Sequence, residues 1–278
     1  CPSAIISNID LWHQRLGHMN FKALTKIANK ALVRGVPKLG KNLSHVCGPC
    51  QLGKQTRAPH KRVNSFTPNR PLELVHMDLM GPTRTESIGG KRYIFLTVDD
   101  FTRFSWVNFL KEKSDTFDAF QALVPKIQNE QWVSIGRIIR IRTDHGREFE
   151  NSSFSDFCEM QGIKHEFSAP ITPQQNGVVE RKNRVVQEMA RVMLLSKKLP
   201  PKFWAEALNT AVYVINRVYL RPGTLQTPYE LWKGLKPNVK YFKTFGSKCY
   251  IFKDREPLGK LDSRSDEGIF LGYSTTSR

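Results

Sequence analysis

The sequence predicts an α/β protein with a mixed five-stranded sheet and flanking helices, preceded by a small helical metal-binding module and followed by a short β segment. Three observations favour this arrangement. From residue 72 onward, apolar patterns follow the order β-β-β-α-β-α-β-α, which is typical of one sheet covered by helices. Two histidines and a Cys-x-x-Cys pair come before this stretch. Two short strand patterns come after it, near the end of the chain.

The chain is strongly basic. It has 278 residues, with 43 lysines and arginines against 25 aspartates and glutamates, which give a formal charge of +18. Such an excess predicts a polyanionic partner, because each neutralised phosphate releases condensed counterions. A solvated basic surface and membrane headgroups are the alternatives. We expect nucleic acid, because the sequence has no separate amphipathic lysine-rich segment and no lipidation signal.

The remaining composition indicates a globular chain. Hydrophobic residues make up 40% of it, and its length allows two or three domains. The longest apolar runs are far shorter than the ~20 residues that span a bilayer, so we expect a soluble protein with no membrane partner. Five cysteines, of which only two are closely spaced, favour a reducing compartment. Because the first residue is Cys1 and not methionine, we expect a piece of a longer chain.

Two short helices are predicted in the first 30 residues. Asp10 would cap the first, which runs to Leu16 and ends before Gly17. Asn20 would cap the second, over residues 21–30. A polar loop then leads to residue 47. A module this small buries little apolar surface, so it needs another source of folding energy.

Four residues of this module suit one zinc ion: His13, His18, Cys47 and Cys50. Two imidazoles and two thiolates form a closed tetrahedral site, and the metal would supply folding energy. Two alternatives remain open. Cys-Gly-Pro-Cys also occurs in thioredoxin-type redox sites, although those follow a strand and none is predicted here. The histidines could instead be core residues, and His45 could replace either of them as a ligand.

The central region is predicted to hold five strands and three helices. Short connections between the first three strands favour an antiparallel meander. Ser114 or Asp115 would cap the first helix, and Gly162 would end the second. The strands are expected at residues 72–80, 93–98, 104–110, 137–142 and 163–167, and the helices after 115, at 153–161 and after 177.

Three acids of this region suit a divalent-metal site. Asp78 lies inside the first strand, Asp144 ends the fourth, and Glu180 begins the third helix. Their oxygens suit Mg²⁺ or Mn²⁺, and two such ions clamp the attacking and leaving oxygens of a phosphoryl transfer. As alternatives, Asp144 could form a turn and Glu180 could complement a helix dipole. Asp99 or Asp100 could replace Asp78, although their place beside a turn favours a structural role.

The helix after Gly177 is predicted to carry an apolar face and a basic face. The apolar face would pack on the core through Val178, Val185, Met189 and Val192. The basic face begins at Glu180 and could hold a phosphodiester backbone beside the metals. A solvated face with internal ion pairs is the alternative. The residues predicted to contact DNA are Asn176, Arg181, Lys182, Arg184 and Arg191.

The end of the chain is predicted to contain one long helix and two strands. The helix, over residues 202–219, begins after two prolines and most simply packs on the core; a dimer interface is the alternative. The strands are expected at residues 248–252 and 268–273, separated by turns with glycine and aspartate.

Several motifs together resemble the integrases of Copia-type long-terminal-repeat retrotransposons. They are the set His13, His18, Cys47 and Cys50; Asp78 in His-Met-Asp-Leu-Met-Gly-Pro; Asp144 in Arg-Thr-Asp-His-Gly-Arg-Glu-Phe; and Glu180 in Gln-Asn-Gly-Val-Val-Glu-Arg-Lys-Asn. The resemblance covers nearly the whole chain. The sequence differs from retroviral integrases in one respect, because His13 and His18 are five positions apart and not four. His18 is therefore expected to bind zinc from the loop.

The resemblance implies a division into four regions and a set of functional residues. The regions are a zinc-binding domain over 1–55, a basic linker over 56–71, a ribonuclease-H-like catalytic core over 72–235 and a small β-barrel, cut short, over 236–278. Asp78, Asp144 and Glu180 would bind Mg²⁺ and carry catalysis. The chain would be part of a Gag-Pol polyprotein, and it would act as a homo-oligomer on DNA in the nucleus, after release from a cytoplasmic particle.

We therefore predict a polynucleotidyl transferase that processes element DNA ends and joins them to target DNA. Two alternatives are kept. A nuclease on the same fold, which cuts RNA in a hybrid, is the enzymatic one. A catalytically silent zinc-containing module, which binds DNA through its basic surface alone, is the other.

Overall fold

The computed structural model describes residues 8–40, 46–54, 67–131, 136–168, 177–253 and 260–274. Its centre is a five-stranded sheet in the order β3-β2-β1-β4-β5, made of β1 (Val75–Met80), β2 (Tyr93–Asp99), β3 (Ser105–Leu110), β4 (Arg140–Thr143) and β5 (Lys164–Phe167). The first three strands form an antiparallel meander, whereas β4 is parallel to β1 and β5 is parallel to β4. The predicted mixed sheet is confirmed.

Helices cover both faces of this sheet. They are α4 (Thr116–Gln131), α5 (Ser152–Gln161), α6 (Gly177–Ser196) and α7 (Trp204–Val218). Alternate residues of β2 point to opposite faces. Phe95 packs in the cluster that contains α4 and α5, whereas Leu96 packs in the cluster that contains α6 and α7. Gly162 ends α5 in the left-handed conformation, as predicted. None of the described helices combines the length and the apolar character needed to cross a bilayer.

A rigid turn joins β2 to β3. The carboxylate of Asp99 accepts hydrogen bonds from the backbone N–H and the hydroxyl of Thr102, at 2.8 and 2.6 Å. Asp100 lies 3.2 Å from the ring nitrogen Nε2 of His76 and 2.9 Å from Nη1 of Arg103. The structural role expected of these two acids is confirmed, because the contacts of both carboxylates stabilise the turn.

The N-terminal module consists of α1 (Asn8–Arg15), α2 (Phe21–Asn29) and α3 (Gly48–Gly53). The Asn20 side chain accepts a hydrogen bond from the backbone N–H of Ala23 at 2.8 Å, so the predicted cap of α2 is confirmed. The predicted cap of α1 is wrong, because Asp10 lies within the first turn of that helix. No helix was predicted where α3 lies. Pro49 fits its first turn, where backbone N–H groups have no intrahelical acceptor.

The N-terminal module packs directly against α6. Two glycines permit this close contact: a Cβ on Gly17 would lie 2.6 Å from Sδ of Met189, and a Cβ on Gly53 would collide with Val192. Arg191 also donates a hydrogen bond to the carbonyl oxygen of Gly53 at 3.1 Å. Apolar residues of α1 and α2 therefore share one core cluster with those of α6 and α7.

The buried surface of α6 differs from the predicted stripe. Val178 and Val185, which were expected to face the core, are only partly buried. Met189 and Val192 of the predicted stripe are fully buried, and so are Val179 and Val186, which were not part of it. A single stripe is the wrong description because α6 contacts the sheet, α7 and the N-terminal module at once.

The last described part of the chain follows α7 and α8 (Pro228–Lys233) and contains a separate two-stranded antiparallel sheet, β6 (Lys248–Phe252) with β7 (Ser265–Ile269). The prediction of β6 is confirmed. The prediction of β7 at residues 268–273 is wrong, because Leu271 and Tyr273 pack against the core cluster of α7 and do not pair in the sheet. Within the described residues this sheet has no third strand, so the small barrel stays a prediction.

Candidate functional site

Two strands and one helix bring the three predicted acids together. Asp78 lies in the middle of β1, Asp144 directly follows β4, and Glu180 lies in the first turn of α6. The parallel strands β1 and β4 pair Val75 with Ile141. Continued three residues further, that register sets Asp78 opposite Asp144. The fold thus places side by side two acids that are far apart in sequence.

The three acids also interact electrostatically. Burial, together with the charges of Asp144 and Glu180, raises the pKa of Asp78 to about 6. Burial and the charge of Asp144 raise the pKa of Glu180, while Arg181 and Arg184 act in the opposite direction. Carboxylates that disfavour one another's charge are stabilised together by a divalent cation, whose preferred ligands are such oxygens.

The donor set fits a hard divalent cation in its chemistry, but it is not gathered around one point. In the described part of the chain, only one set of metal-binding side chains has ligand atoms close enough to share an ion, namely His13, His18, Cys47 and Cys50, the His/Cys group. Asp144 and Glu180 are both exposed, and the carboxylate of Asp144 accepts a hydrogen bond from the backbone N–H of Gly146 at 3.1 Å, as in the turn considered as its alternative role. Binding of one ion by all three acids therefore requires at least that these two side chains turn.

Asn183 holds Asp78 in place, a role that sequence reasoning missed. Its amide nitrogen donates a hydrogen bond to a carboxylate oxygen of Asp78. Asn183 is buried, and its carbonyl oxygen has no hydrogen-bond partner among the described residues. It lies three positions after Glu180, so both side chains share one face of α6. That spacing on a helix bearing a candidate acid is the signal that could have identified it.

The His/Cys group has the dimensions of a tetrahedral metal site. Nε2 of His13 lies 3.1 Å from Nδ1 of His18 and 3.4 Å from Sγ of Cys50. Nδ1 of His18 lies 3.4 Å from Sγ of Cys47 and 3.7 Å from Sγ of Cys50. A tetrahedral zinc ion with ordinary bond lengths would separate such ligand atoms by roughly 3.3–3.8 Å. All four ligand atoms lie within 4.8 Å of one another, so the four predicted ligands fit one zinc ion after small shifts.

Neighbouring groups prepare these ligands for a metal. Nδ1 of His13 lies 2.7 Å from the carbonyl oxygen of Met19, which leaves Nε2 as the nitrogen available to an ion. Lys54 donates a hydrogen bond to the carbonyl oxygen of His18 at 2.5 Å. Burial lowers the pKa of His18 to about 3 and raises the pKa of Cys50 to about 12. The imidazole is thus neutral, while the thiol must release its proton when a metal binds.

The residues predicted to contact DNA separate into two groups. Arg181 and Arg184 are exposed on α6. Lys182 turns instead toward the β2–β3 turn, where its Nζ donates to the carbonyl oxygen of Arg103 at 3.1 Å. Arg191 is tied to the N-terminal module through its hydrogen bond to α3. Two further candidates lie outside the described residues, namely Asn176 and the alternative zinc ligand His45.

Comparison with known protein families matches two parts of the chain. Residues 1–55 match the GAG-pre-integrase domain, which includes the four residues of the His/Cys group. Residues 68–173 match the integrase core domain, which includes Asp78 and Asp144. The second match ends before Glu180, so the place of that acid rests on the structure of α6 and its interaction with Asp144.

Individual relatives cover nearly the whole chain. It is 38% identical over 267 residues to the retrovirus-related Pol polyprotein from transposon TNT 1-94 of Nicotiana tabacum, covering 96% of this chain and 20% of the relative. It is 33% identical over 265 residues to the corresponding polyprotein from transposon RE2 of Arabidopsis thaliana, covering 95% and 18%. The chain thus spans about a fifth of the length of these relatives.

A solved structure with the same fold is the intasome of simian T-cell lymphotropic virus, in complex with PP2A regulatory subunit B56 gamma. The likeness has a TM-score of 0.51 at 19% identity, and it covers 81% of this chain and 77% of that one. At this identity the comparison establishes the fold of the core and nothing about the reaction.

Proposed function

We propose that the chain is the integrase region of a Copia-type retrotransposon Pol polyprotein and that it acts as a DNA-joining polynucleotidyl transferase. It would process the ends of element DNA and join them to target DNA. The observation that carries this proposal is the convergence of Asp78, Asp144 and Glu180 from three elements of a ribonuclease-H-like core. Acids arranged in this way suit phosphoryl transfer assisted by divalent cations.

The three acids would hold Mg²⁺ or Mn²⁺. When bound, such cations supply Lewis-acid stabilisation of the charge on the phosphate and favour ionisation of the attacking oxygen. The contribution of the protein itself is placement. Asn183 orients Asp78, and the paired strands β1 and β4 set the separation of Asp78 and Asp144. Arg181 and Arg184 lie close enough to Glu180 to favour its charged form.

The proposed reaction consists of two displacements at phosphorus. Water first attacks a phosphodiester near the element end, which frees a 3′-hydroxyl on the element and a phosphate on the released piece. That hydroxyl then attacks a phosphodiester of the target, bonds to its phosphorus and displaces a target 3′-oxygen, which takes up a proton. Neither step needs a covalent bond to the enzyme, since the attacking oxygen is supplied each time by water or DNA.

We assign a structural zinc ion to His13, His18, Cys47 and Cys50, on the basis of their tetrahedral spacing. Zinc held by four side chains has no open position for substrate, so it would stabilise the N-terminal module and take no part in the chemistry. The hydrogen bonds from His13 to Met19 and from Lys54 to the backbone of His18 support this assignment, because metal sites commonly fix their ligands in this way.

The partners that follow from this function are DNA and further copies of the chain. The formal charge of +18 and the exposed Arg181 and Arg184 support DNA as the partner. An element has two ends that must be joined together, so at least two active sites would act at once in a homo-oligomer. Because chromosomal DNA is the target, the nucleus would be the place of action, after release from a cytoplasmic particle.

A strand-transfer assay with metal titration tests this function. The protein would be incubated with a duplex that carries an element end and with a supercoiled target, while a parallel arm offers an RNA–DNA hybrid. We expect joined products that depend on Mg²⁺ or Mn²⁺, and little hybrid cleavage. Hybrid cleavage without joining would identify a ribonuclease and contradict the proposal. Tight DNA binding without any joining across the metal titration would identify a silent module and contradict it equally.

A further inference from the structure

Four cations lie close together where the β2–β3 turn meets α6 and the segment after α7. They are Arg103, Arg181, Lys182 and Arg221, and we call them the turn cluster. Lys182 donates to the carbonyl oxygen of Arg103 at 3.1 Å, and Nε of Arg221 donates to the carbonyl oxygen of Phe101. Burial and the charges of Arg221 and Arg181 lower the pKa of Arg103, while Asp100 acts in the opposite direction. The positive charges of the four side chains therefore lie close enough to interact electrostatically.

The turn cluster has less negative charge around it than positive. Asp100 is the carboxylate that pairs with Arg103, at 2.9 Å, and it is shared with His76. Asp99 is buried, its pKa is raised to about 6 by that burial, and its oxygens are occupied by the turn. Within the described residues, neither Arg181 nor Arg221 forms an ion pair.

One donor in the cluster is left without an acceptor. Nε of Arg103 is buried and has no hydrogen-bond partner among the described residues. An unsatisfied buried donor is unfavourable, and a guanidinium normally uses its nitrogens in pairs on an anion. The Arg103 side chain as a whole is 26% exposed, although Nε itself is closed to solvent. Arg103 therefore keeps a donor that no described residue uses, and a small shift of the side chain would let an external anion accept from it.

The cluster is also held rigidly before any anion arrives. Arg103 lies in the left-handed region, with φ of 65°, at the end of a turn that Asp99 and Thr102 fix. The guanidinium of Arg221 lies 5.1 Å from the centre of the Phe101 ring and is bonded to the Phe101 carbonyl. Groups placed in this way lose little conformational freedom on binding, which favours a real site over a chance concentration of charge.

We propose that Arg103 and Arg221, with Arg181, form a phosphate-binding site that holds the backbone of a DNA strand running from the catalytic acids across the β2–β3 turn. The inference rests on the proposed DNA-joining function. Arg181 follows Glu180 directly, so the site adjoins the acids. Arginine suits this task because its planar fork matches the geometry of a phosphate. Arg184, one turn further along α6, is free for a second strand, as a reaction between two DNA molecules needs.

Lys182 supports the site from behind. Its amine turns inward and donates a hydrogen bond to the carbonyl oxygen of Arg103 at 3.1 Å, which helps to fix the backbone that carries this arginine.

The variant Arg221→Gln tests the site directly. Glutamine removes the charge while keeping a donor for the Phe101 carbonyl. Binding of a labelled DNA duplex would be followed by fluorescence anisotropy over a range of NaCl concentrations. We expect affinity to fall roughly tenfold near 0.1 M salt, and the slope of log K against log salt to become less steep by about 1, as for the loss of one phosphate contact.

The matched control is Lys126→Gln, which removes the same charge from an exposed position on α4, on the opposite face of the sheet. Its slope should stay that of the unaltered protein. An unchanged slope in Arg221→Gln would overturn the site, and so would an equal loss in both variants, since that would indicate only a general field. A third result would also overturn the DNA site. If inorganic phosphate stabilised the unaltered protein but not Arg221→Gln, and both bound DNA equally well, the site would be one for a free anion.

Two experimental results distinguish an error in the phosphate-binding site from an error in the proposed function. If the unaltered protein joins DNA but Arg221→Gln binds it normally, the site is wrong and the function stands. If the protein binds DNA with the expected slope change but never joins it, the function is wrong and the site stands. Should Arg221→Gln fail to fold, the exposed Arg181→Gln gives the same measurement, with the same outcomes on the slope.

Discussion

Asp78 carries its charge in a place that disfavours it. Burial, Asp144 and Glu180 raise its pKa from 3.8 to about 6. The unfolded chain therefore gives up this proton at a lower pH than the folded one. Stability is lost as the pH rises from about 4 to 6, and the loss is complete above that range. At about 1.4 kcal/mol for each pKa unit, the unfavourable term is about 3 kcal/mol.

We expect Asp78→Asn to stabilise the metal-free protein while abolishing DNA joining. Asparagine keeps an acceptor for Asn183 and carries no charge, so the gain should reach about 2–3 kcal/mol at pH 8 and vanish near pH 4. Urea unfolding at the two pH values, with a chelator present, measures it. The control is Asp156→Asn on the exposed side of α5, which should show no such gain. A variant less stable than the parent at pH 8 would contradict the account of Asp78.

At this scale the sequence identified the candidate acids and metal ligands, but not how neighbouring side chains are directed. Asp78 was predictable because an acid within an apolar strand needs a partner. Asn183 was missed because a helical asparagine is equally suited to solvent. Lys182 was grouped with the exposed arginines, although its amine turns inward to Arg103. The orientation of a side chain on a helix depends on what packs against that helix, and a local sequence pattern does not predict it.

At the scale of elements, α6 connects the two candidate sites. Its first turn carries Glu180, and its next turn carries Asn183, which holds Asp78. Its C-terminal half packs on the N-terminal module through Met189 and Val192, which lie against glycines of that module. Metal binding at the His/Cys group would therefore stabilise the surface against which α6 rests.

Removal of zinc should lower the local stability of both the N-terminal module and the C-terminal half of α6. We expect Cys47→Ser to lose the metal, because a structural zinc ion supplies much of the folding energy of so small a module. Hydrogen exchange measured by mass spectrometry should then quicken in α1–α3 and in α6 beyond residue 188, while β1 and β2 stay protected. Cys249→Ser, in β6 and outside the site, is the control and should retain the metal. Unchanged metal content or unchanged exchange in α6 would contradict this coupling.

The limits of prediction at this scale have a common cause. The succession of strands and most helices along the chain followed from periodicity, because a helix buries one face and a strand alternates between two. The stripe of α6 and the place of β7 did not, because tertiary partners decide them. α6 is covered on several sides, and Leu271 and Tyr273 leave the sheet to pack beside α7. The helix α3 is short, and its glycine at residue 53 is explained only by the contact with Val192.

At the scale of the molecule, the fold assembles distant segments into the one edge that carries the three candidate acids. β1, β4 and α6 come together from across more than a hundred residues, and the module at the start of the chain supports the last of them. Basic residues also lie near one of the acids, since Arg181 and Arg184 both interact with Glu180. The sequence predicted the sheet and the polyanionic partner, but the packing of the N-terminal module on α6 leaves no periodic signal to read.

The measurement that tests the central claim most directly is strand transfer by Glu180→Gln, with duplex DNA binding measured on the same preparation. The account predicts that joining falls by more than about a thousandfold while the affinity for DNA stays within about twofold, since only a cation-binding acid is lost. Glu159→Gln, exposed on α5, should join DNA as the unaltered protein does. Mg²⁺-dependent joining retained by Glu180→Gln would contradict the assignment of the three acids.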